Sequence, residues 1–397
     1  MEPYREKARV RNFFEKAQQT RLVIPGIACL LVGILLPTSK LYHQALILLL
    51  WVPGLVLLWG QRREAGYFTR CMLMYSVLAF LLWSLLSVLW SAADDAPREA
   101  KYLLFIVVSL WAFMLLGGLP ERVLLNILWY SAALVGVFAI YSWLKTYLLD
   151  DMPWRYQISA GGQLDHSILA AHVFGFFMLV LYNLRPKKLM GHGCWFLLLS
   201  GFAAYLLFAQ SKGVWLALLA SVLLTPLWRP ERIYKYVAGA CVLAVGVFFI
   251  VAPDVLTQRG LSYRPELVVQ GLQLYWSGNE LLGLGLGERY SLYLDSIGMS
   301  FDHPHNLYLG VLIQVGAVGF FLWCLVWGSL GVSAWQRREF ALGSVVLGAW
   351  VFASVALLSD GFYVWDKPRD VWFTTWIPIG LALALWRLSK APKESLQ

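Results

Sequence analysis

Apolar residues in this chain fall in runs long enough to cross a bilayer, which takes about 20 residues as helix, and that confines it to a membrane-embedded helical fold. Hydrophobic residues make up 59% of the 397 positions and charged residues 14%, a balance that excludes a soluble globular protein. Twelve candidate spans are centred near Leu30, Trp51, Leu81, Val108, Val135, Phe176, Leu198, Leu218, Val242, Leu322, Val351 and Ile379. An even number places both termini on one side. The expected fold is an all-α integral membrane protein of about twelve transmembrane helices, a single polytopic domain over residues 1–397.

Orientation follows from the basic residues in alternate loops. The side bearing the termini collects 21 of the 32 Lys and Arg residues, from Arg5 and Lys7 through the Arg185, Lys187 and Lys188 cluster to Lys393. Fifteen of the 23 acidic residues lie on the other side. Both termini are therefore expected in the cytoplasm, and the formal charge of +9 suits anionic membrane lipid rather than nucleic acid. The basic prelude before Leu22 shows no small-residue cleavage signature, so the first span is expected to remain as an anchor. The five cysteines sit in or beside apolar runs with no paired spacing, which suggests neither a disulfide framework nor a metal site.

Most loops are short, so consecutive spans should be antiparallel neighbours. One outward loop, over 253–306, breaks that rule. Within it Leu267, Val268, Gly271, Leu272, Leu274, Tyr275 and Trp276 recur at near-helical spacing, predicting an amphipathic helix at the membrane surface. The alternation Leu282-Gly283-Leu284-Gly285-Leu286-Gly287 follows. It has neither the preceding strand nor the glycine spacing of a dinucleotide site, so a tight turn with close backbone packing is expected.

At the end of this loop stand His303, Pro304, His305 and Asn306. Histidine titrates near neutrality and suits proton abstraction, while Asn306 is a natural N-cap whose helix would turn its positive end toward the site. His43, His166, His172 and His192 read instead as interfacial or buried hydrogen-bonding residues. Lys101, Lys212, Arg264 and Arg289 lie at span edges or in the loop on the outward face, with Arg155 nearby. Singly each could snorkel or pair with Glu266, Glu288 or Asp302; as a group they suit a diphosphate whose lipid tail lies in the bilayer.

The pattern His305-Asn306, nine residues, then Gly316-Ala317-Val318-Gly319 resembles the histidine motif of bacterial O-antigen ligases, in the superfamily that also holds O-antigen polymerases. Tyr263-Arg264-Pro265-Glu266, the following helix and the Leu281–Gly287 run are similar to the family's arginine, helix and PLxGxGxG sequence. Ser211-Lys212-Gly213 resembles its SRG turn with lysine in place of arginine, and Val268 stands where a tryptophan is usual.

The resemblance implies an inner-membrane glycosyltransferase of lipopolysaccharide biosynthesis with its active site on the periplasmic face. Its donor would be an undecaprenyl-diphosphate-linked glycan and its acceptor the lipid A core. His305 would be the general base of an inverting transfer without metal or other cofactor; Arg264 and Lys212, helped by Arg289 and Lys101, would hold the diphosphate. Supporting places fall to His303, Asn306, Arg155 and Asp360, the last orienting His305 or the acceptor. A polymerase would use the same donor with a second lipid-linked glycan as acceptor. A transporter would need charges within several spans, whereas here they gather at the ends.

Overall fold

The computed structural model describes residues 20–60, 66, 70–94, 96–154, 156–186, 188–251, 263–361 and 363–390. Each expected span centre falls in a helix. The chain runs through α1 (Ile24–Val32), α2 (Ser39–Gly60), α3 (Met72–Leu86), α4 (Ala96–Leu116) and α5 (Glu121–Leu144). After α6 (Ser167–Asn183), α7 (Leu189–Ala209), α8 (Lys212–Leu224) and α9 (Arg232–Val251) comes the large loop. It carries α10 (Arg264–Ser277), and the chain closes with α11 (Leu307–Gln336), α12 (Ala341–Ala356) and α13 (Trp376–Leu388).

Among the described residues, six helical stretches are long and apolar enough to cross a membrane, Ser39–Gly60, Met72–Leu89, Arg98–Leu116, Glu121–Leu149, Gly191–Ala209 and Leu307–Gln336; shorter apolar helices accompany them. Helix α11 packs on α3, α8 on α12, α13 on α4 and α5 on α7. Large aromatic side chains fill the interior: Trp323 stacks on Trp327 with ring centroids 5.5 Å apart and meets Phe80 at 5.2 Å. Between apolar helices in an apolar solvent, such dense packing replaces the hydrophobic effect as the source of cohesion.

The long loop departs from the all-α expectation in one place. Strands β1 (Leu292–Leu294) and β2 (Met299–Phe301) form an antiparallel hairpin, with Leu292 opposite Phe301. The alternation explains it: Leu292 and Leu294 are buried against Leu267 of α10 while Tyr293 between them is exposed, and Gly298 takes φ 64° in the turn. The predicted amphipathic helix is α10.

The glycine run locks this loop to α11. Gly316 has φ 68° and ψ −173°, a break inside that helix. The carbonyls this frees are satisfied from outside: Leu284 N–H donates to Ile313 at 3.0 Å, Gly285 N–H to Gln314 at 2.8 Å, and the Trp83 indole to Val315 at 2.9 Å. In return Ala317 N–H donates to Glu280 at 2.8 Å and Val318 N–H to Leu281 at 3.4 Å. A backbone group without a partner at membrane depth costs several kcal/mol, so the break persists because the loop repairs it. Gly283, with φ 71°, approaches the Gly316 amide so closely that a side-chain carbon on either residue would collide with the other's backbone.

Candidate active site

The N-terminal ends of α8, α10 and α11 meet the C-terminal end of α12 at one end of the bundle. Asn306 caps α11 as expected, its side chain accepting from Leu309 N–H at 3.1 Å, and Leu307 N–H donates to Leu357 at 3.0 Å, tying α11 to the residues that follow α12. Immediately beyond lie Ser359 and Asp360. The Arg264 guanidinium donates Nε–H to the Ser359 carbonyl, and the Gly213 backbone, next to Lys212 at the first turn of α8, lies against the Ser359 side chain with no room for a Cβ. The first turn of α8 and Arg264, far apart in sequence, thus both meet Ser359.

His305 sits at φ 48°, in the left-handed region that a non-glycine residue enters at a cost. The strained turn aims its ring at the Asp360 side: Nδ1 lies 3.2 Å from Asp360 Oδ1. Asp360 is 3% exposed, and its carboxylate also accepts from Gly361 N–H at 2.9 Å. Burial pushes the Asp360 carboxyl up, but the bond from His305 and the charges of His172, His305 and Arg264 outweigh it and bring it down to about 2. An ionised carboxylate only accepts, so the His305 Nδ1–H faces it, and the neutral ring carries its lone pair on Nε2. That is the tautomer a general base requires.

His303 stands beside it, ring centroids 4.1 Å apart, with Nδ1 2.6 Å from Asp302 Oδ1. Burial, then the proximity of His305, lower its pKa despite Asp302, favouring a neutral ring. One donor atom each from His303, His305 and Asp360 lie within 4.8 Å of one another, close enough to share a divalent cation. Chelation decides whether they do.

The remaining expected residues are placed differently. Arg289 lines a cavity of about 920 Å3 that begins beside the histidines, bounded by Asp302, Tyr290 and Tyr363. Lys101 is exposed on α4 with Nζ 5.5 Å from the Tyr102 ring centre; Tyr102 faces that cavity. Arg155 lies outside the described residues. Of the carboxylates weighed as partners for these cations, Glu266 accepts from Ser296 and Asp302 from His303. Sequence reasoning passed over His172, which is 5% exposed and shares a small cavity with Asp360. Its Nδ1–H donates to Ile168 at 2.8 Å and its Nε2 is buried without a partner. No motif marks His172; the packing of α6 reveals it.

A buried carboxylate holding an imidazole, with an arginine beside it, is an arrangement that can move a proton next to an anionic group. The O-antigen ligase family model matches residues 195–324, which hold Lys212, Arg264, the glycine run, His305 and Gly316 but not Asp360. An O-antigen ligase of Pseudomonas aeruginosa is 29% identical over 350 residues, covering 87% of this chain and 85% of that protein. Over most of its length this chain is similar to O-antigen ligases, and its long apolar helices fit a multi-span membrane protein. Both matches carry the ligase description, which does not favour the polymerase reading.

Proposed function

We propose that the protein transfers a glycan from undecaprenyl diphosphate to the lipid A core oligosaccharide, on the periplasmic face of the bacterial inner membrane with both termini cytoplasmic. His305 Nε2 takes the proton of an acceptor hydroxyl as that oxygen attacks the anomeric carbon. The bond from that carbon to the diphosphate oxygen breaks with inversion, and undecaprenyl diphosphate leaves with the electron pair. Asp360 holds the imidazole in the productive tautomer and stabilises the imidazolium that forms. Arg264 and Lys212, with the amino-terminal end of α8, balance charge growing on the leaving diphosphate. Fixed cations then do what a divalent metal does in other diphosphate sites.

The observation that carries this reading is the Asp360–His305 bond at 3.2 Å, with Arg264 and the Lys212 turn both seated on neighbouring Ser359. Purified protein given a lipid-diphosphate glycan and lipid A core should make the ligated product. His305→Ala should abolish transfer while leaving insertion and folding intact. Undiminished ligation by that variant refutes the base assignment; chain growth on lipid-linked repeats alone would make the protein a polymerase.

A further inference from the structure

Three side chains at the site stand where a metal ion needs them. His305 Nδ1 and Asp360 Oδ1 are 3.2 Å apart. Two ligands of a tetrahedral zinc ion, with bonds of about 2.0 Å, are separated by about 3.3 Å, so this pair already has the spacing of one edge. His303 supplies a third corner: its ring centroid is 4.1 Å from that of His305, and one donor atom from each of the three residues lies within 4.8 Å of the others. A movement of up to about 1.5 Å at His303 brings the set to bonding distance. The outer contacts suit ligands as well. Asp302 Oδ1 holds His303 by Nδ1 at 2.6 Å, leaving Nε2 open, and Gly361 N–H holds the Asp360 oxygen at 2.9 Å. A carboxylate on the second ring nitrogen and a hydrogen-bonded ligating carboxylate are the contacts that orient ligands around bound zinc.

We propose that His303, His305 and Asp360 form an inhibitory zinc site, in which the bound ion switches off the proton acceptor. The effect on transfer rests on the ligase reading above; the binding does not. Zinc bonds to the His305 Nδ1 lone pair, and the proton that Nδ1 carried moves to Nε2. The imidazole stays neutral, but no lone pair faces the acceptor hydroxyl. No bond to the glycan forms or breaks, so removal of the ion restores the base. A water completes the tetrahedron, as in other zinc sites with three protein ligands. Two imidazoles with one carboxylate select zinc over magnesium and calcium, which take oxygen ligands. Arg264, bonded to Ser359 next to Asp360, opposes a further positive charge and holds the affinity to the micromolar range.

The test uses full-length, tag-free protein in nanodiscs of zwitterionic lipid, with Zn2+ titrated by calorimetry and Co2+ as an optical probe of tetrahedral coordination. The wild-type protein should bind one Zn2+ with a micromolar Kd and give the intense visible bands of tetrahedral Co2+. His303→Gln and Asp360→Asn should each weaken binding by at least about tenfold, the order of loss when the shell around a metal is disturbed. In the transfer assay Zn2+ should stop the reaction with a midpoint matching that Kd, a chelator should restore it, and Mg2+ in large excess should do neither. Absence of Zn2+ binding, binding that neither substitution weakens, or equal inhibition by Mg2+ overturns the proposal. Binding is measured without donor or acceptor, which separates the site from the reaction. Zn2+ held through these residues while transfer runs at full rate refutes the switch and removes His305 as the base; His305-dependent transfer in protein that binds no Zn2+ sinks the site while the ligase reading stands.

Discussion

Replacing Asp360 with asparagine isolates what the carboxylate contributes, because shape and the bond to Gly361 N–H survive while charge does not. The Asp360 carboxyl drops from 3.8 to about 2 in the folded protein. At about 1.4 kcal/mol per pKa unit, the surroundings favour its ionised form by about 2 kcal/mol, net of the cost of burial. The folded pKa lies below the unfolded one, so this stabilisation is complete above about pH 4 and is lost as pH falls through about 2. The variant should lose about that much stability at neutral pH and show a flatter acid limb in thermal unfolding. The rate should suffer more. The oxygen that accepts from Gly361 N–H also faces His305 Nδ1, so the asparagine keeps the tautomer but no longer stabilises the imidazolium, and a weakened general base costs up to about 10²–10⁴ in turnover. Transfer from lipid-linked donor to lipid A core, followed by gel mobility and mass spectrometry alongside the unfolding midpoint, measures both. Wild-type turnover in the asparagine variant would refute the charge-stabilising role of Asp360, whatever happened to stability.

His305→Gly should remove the base and also release the left-handed strain, so transfer disappears while the unfolding midpoint holds or rises, by up to about 1 kcal/mol in stability; a large fall in stability would show that the imidazole, not the backbone, holds the turn. Gly285→Ala meets both φ 99° and the Ser91 Cα at 2.7 Å from its new Cβ, and should cost about 2–4 kcal/mol, read as lost monodisperse protein in detergent. Incubation with a chelator should leave transfer unchanged; loss of activity restored by a divalent cation would assign His303, His305 and Asp360 to a metal. Arg264→Ala should raise the donor KM more than the acceptor KM, and the reverse pattern would remove it from the diphosphate.

The apolar helices were legible because long apolar runs leave one solution for the backbone, and Asn306 announced its cap through its position before an apolar helix. The hairpin was not, since strands as short as Leu292–Leu294 and Met299–Phe301 carry too little alternation to stand out beside a helix period. Lys212, Arg264 and His305 could be singled out by charge and motif. That Arg264, His305 and the turn carrying Lys212 converge on Ser359 and Asp360 could not, because it depends on how α8, α10 and α12 end in space. Arg289 and Lys101 show the limit of the same reasoning: their charge was readable, but which wall each faces was not. Nor does anything local distinguish His172 from other histidines in apolar sequence.

Gly283 and Gly316 belong to motifs that look independent in the sequence, one in a loop and one inside a span, yet each occupies the space the other's side chain would need. They are two halves of a single joint, and neither can be altered without the other. The first turns of α11, from Asn306 to the break, then act as a rigid spacer between that joint and the histidine. A loop exchanged between relatives should function only when its glycine run travels with the matching α11 break, because the exchange moves one side of a fitted seam.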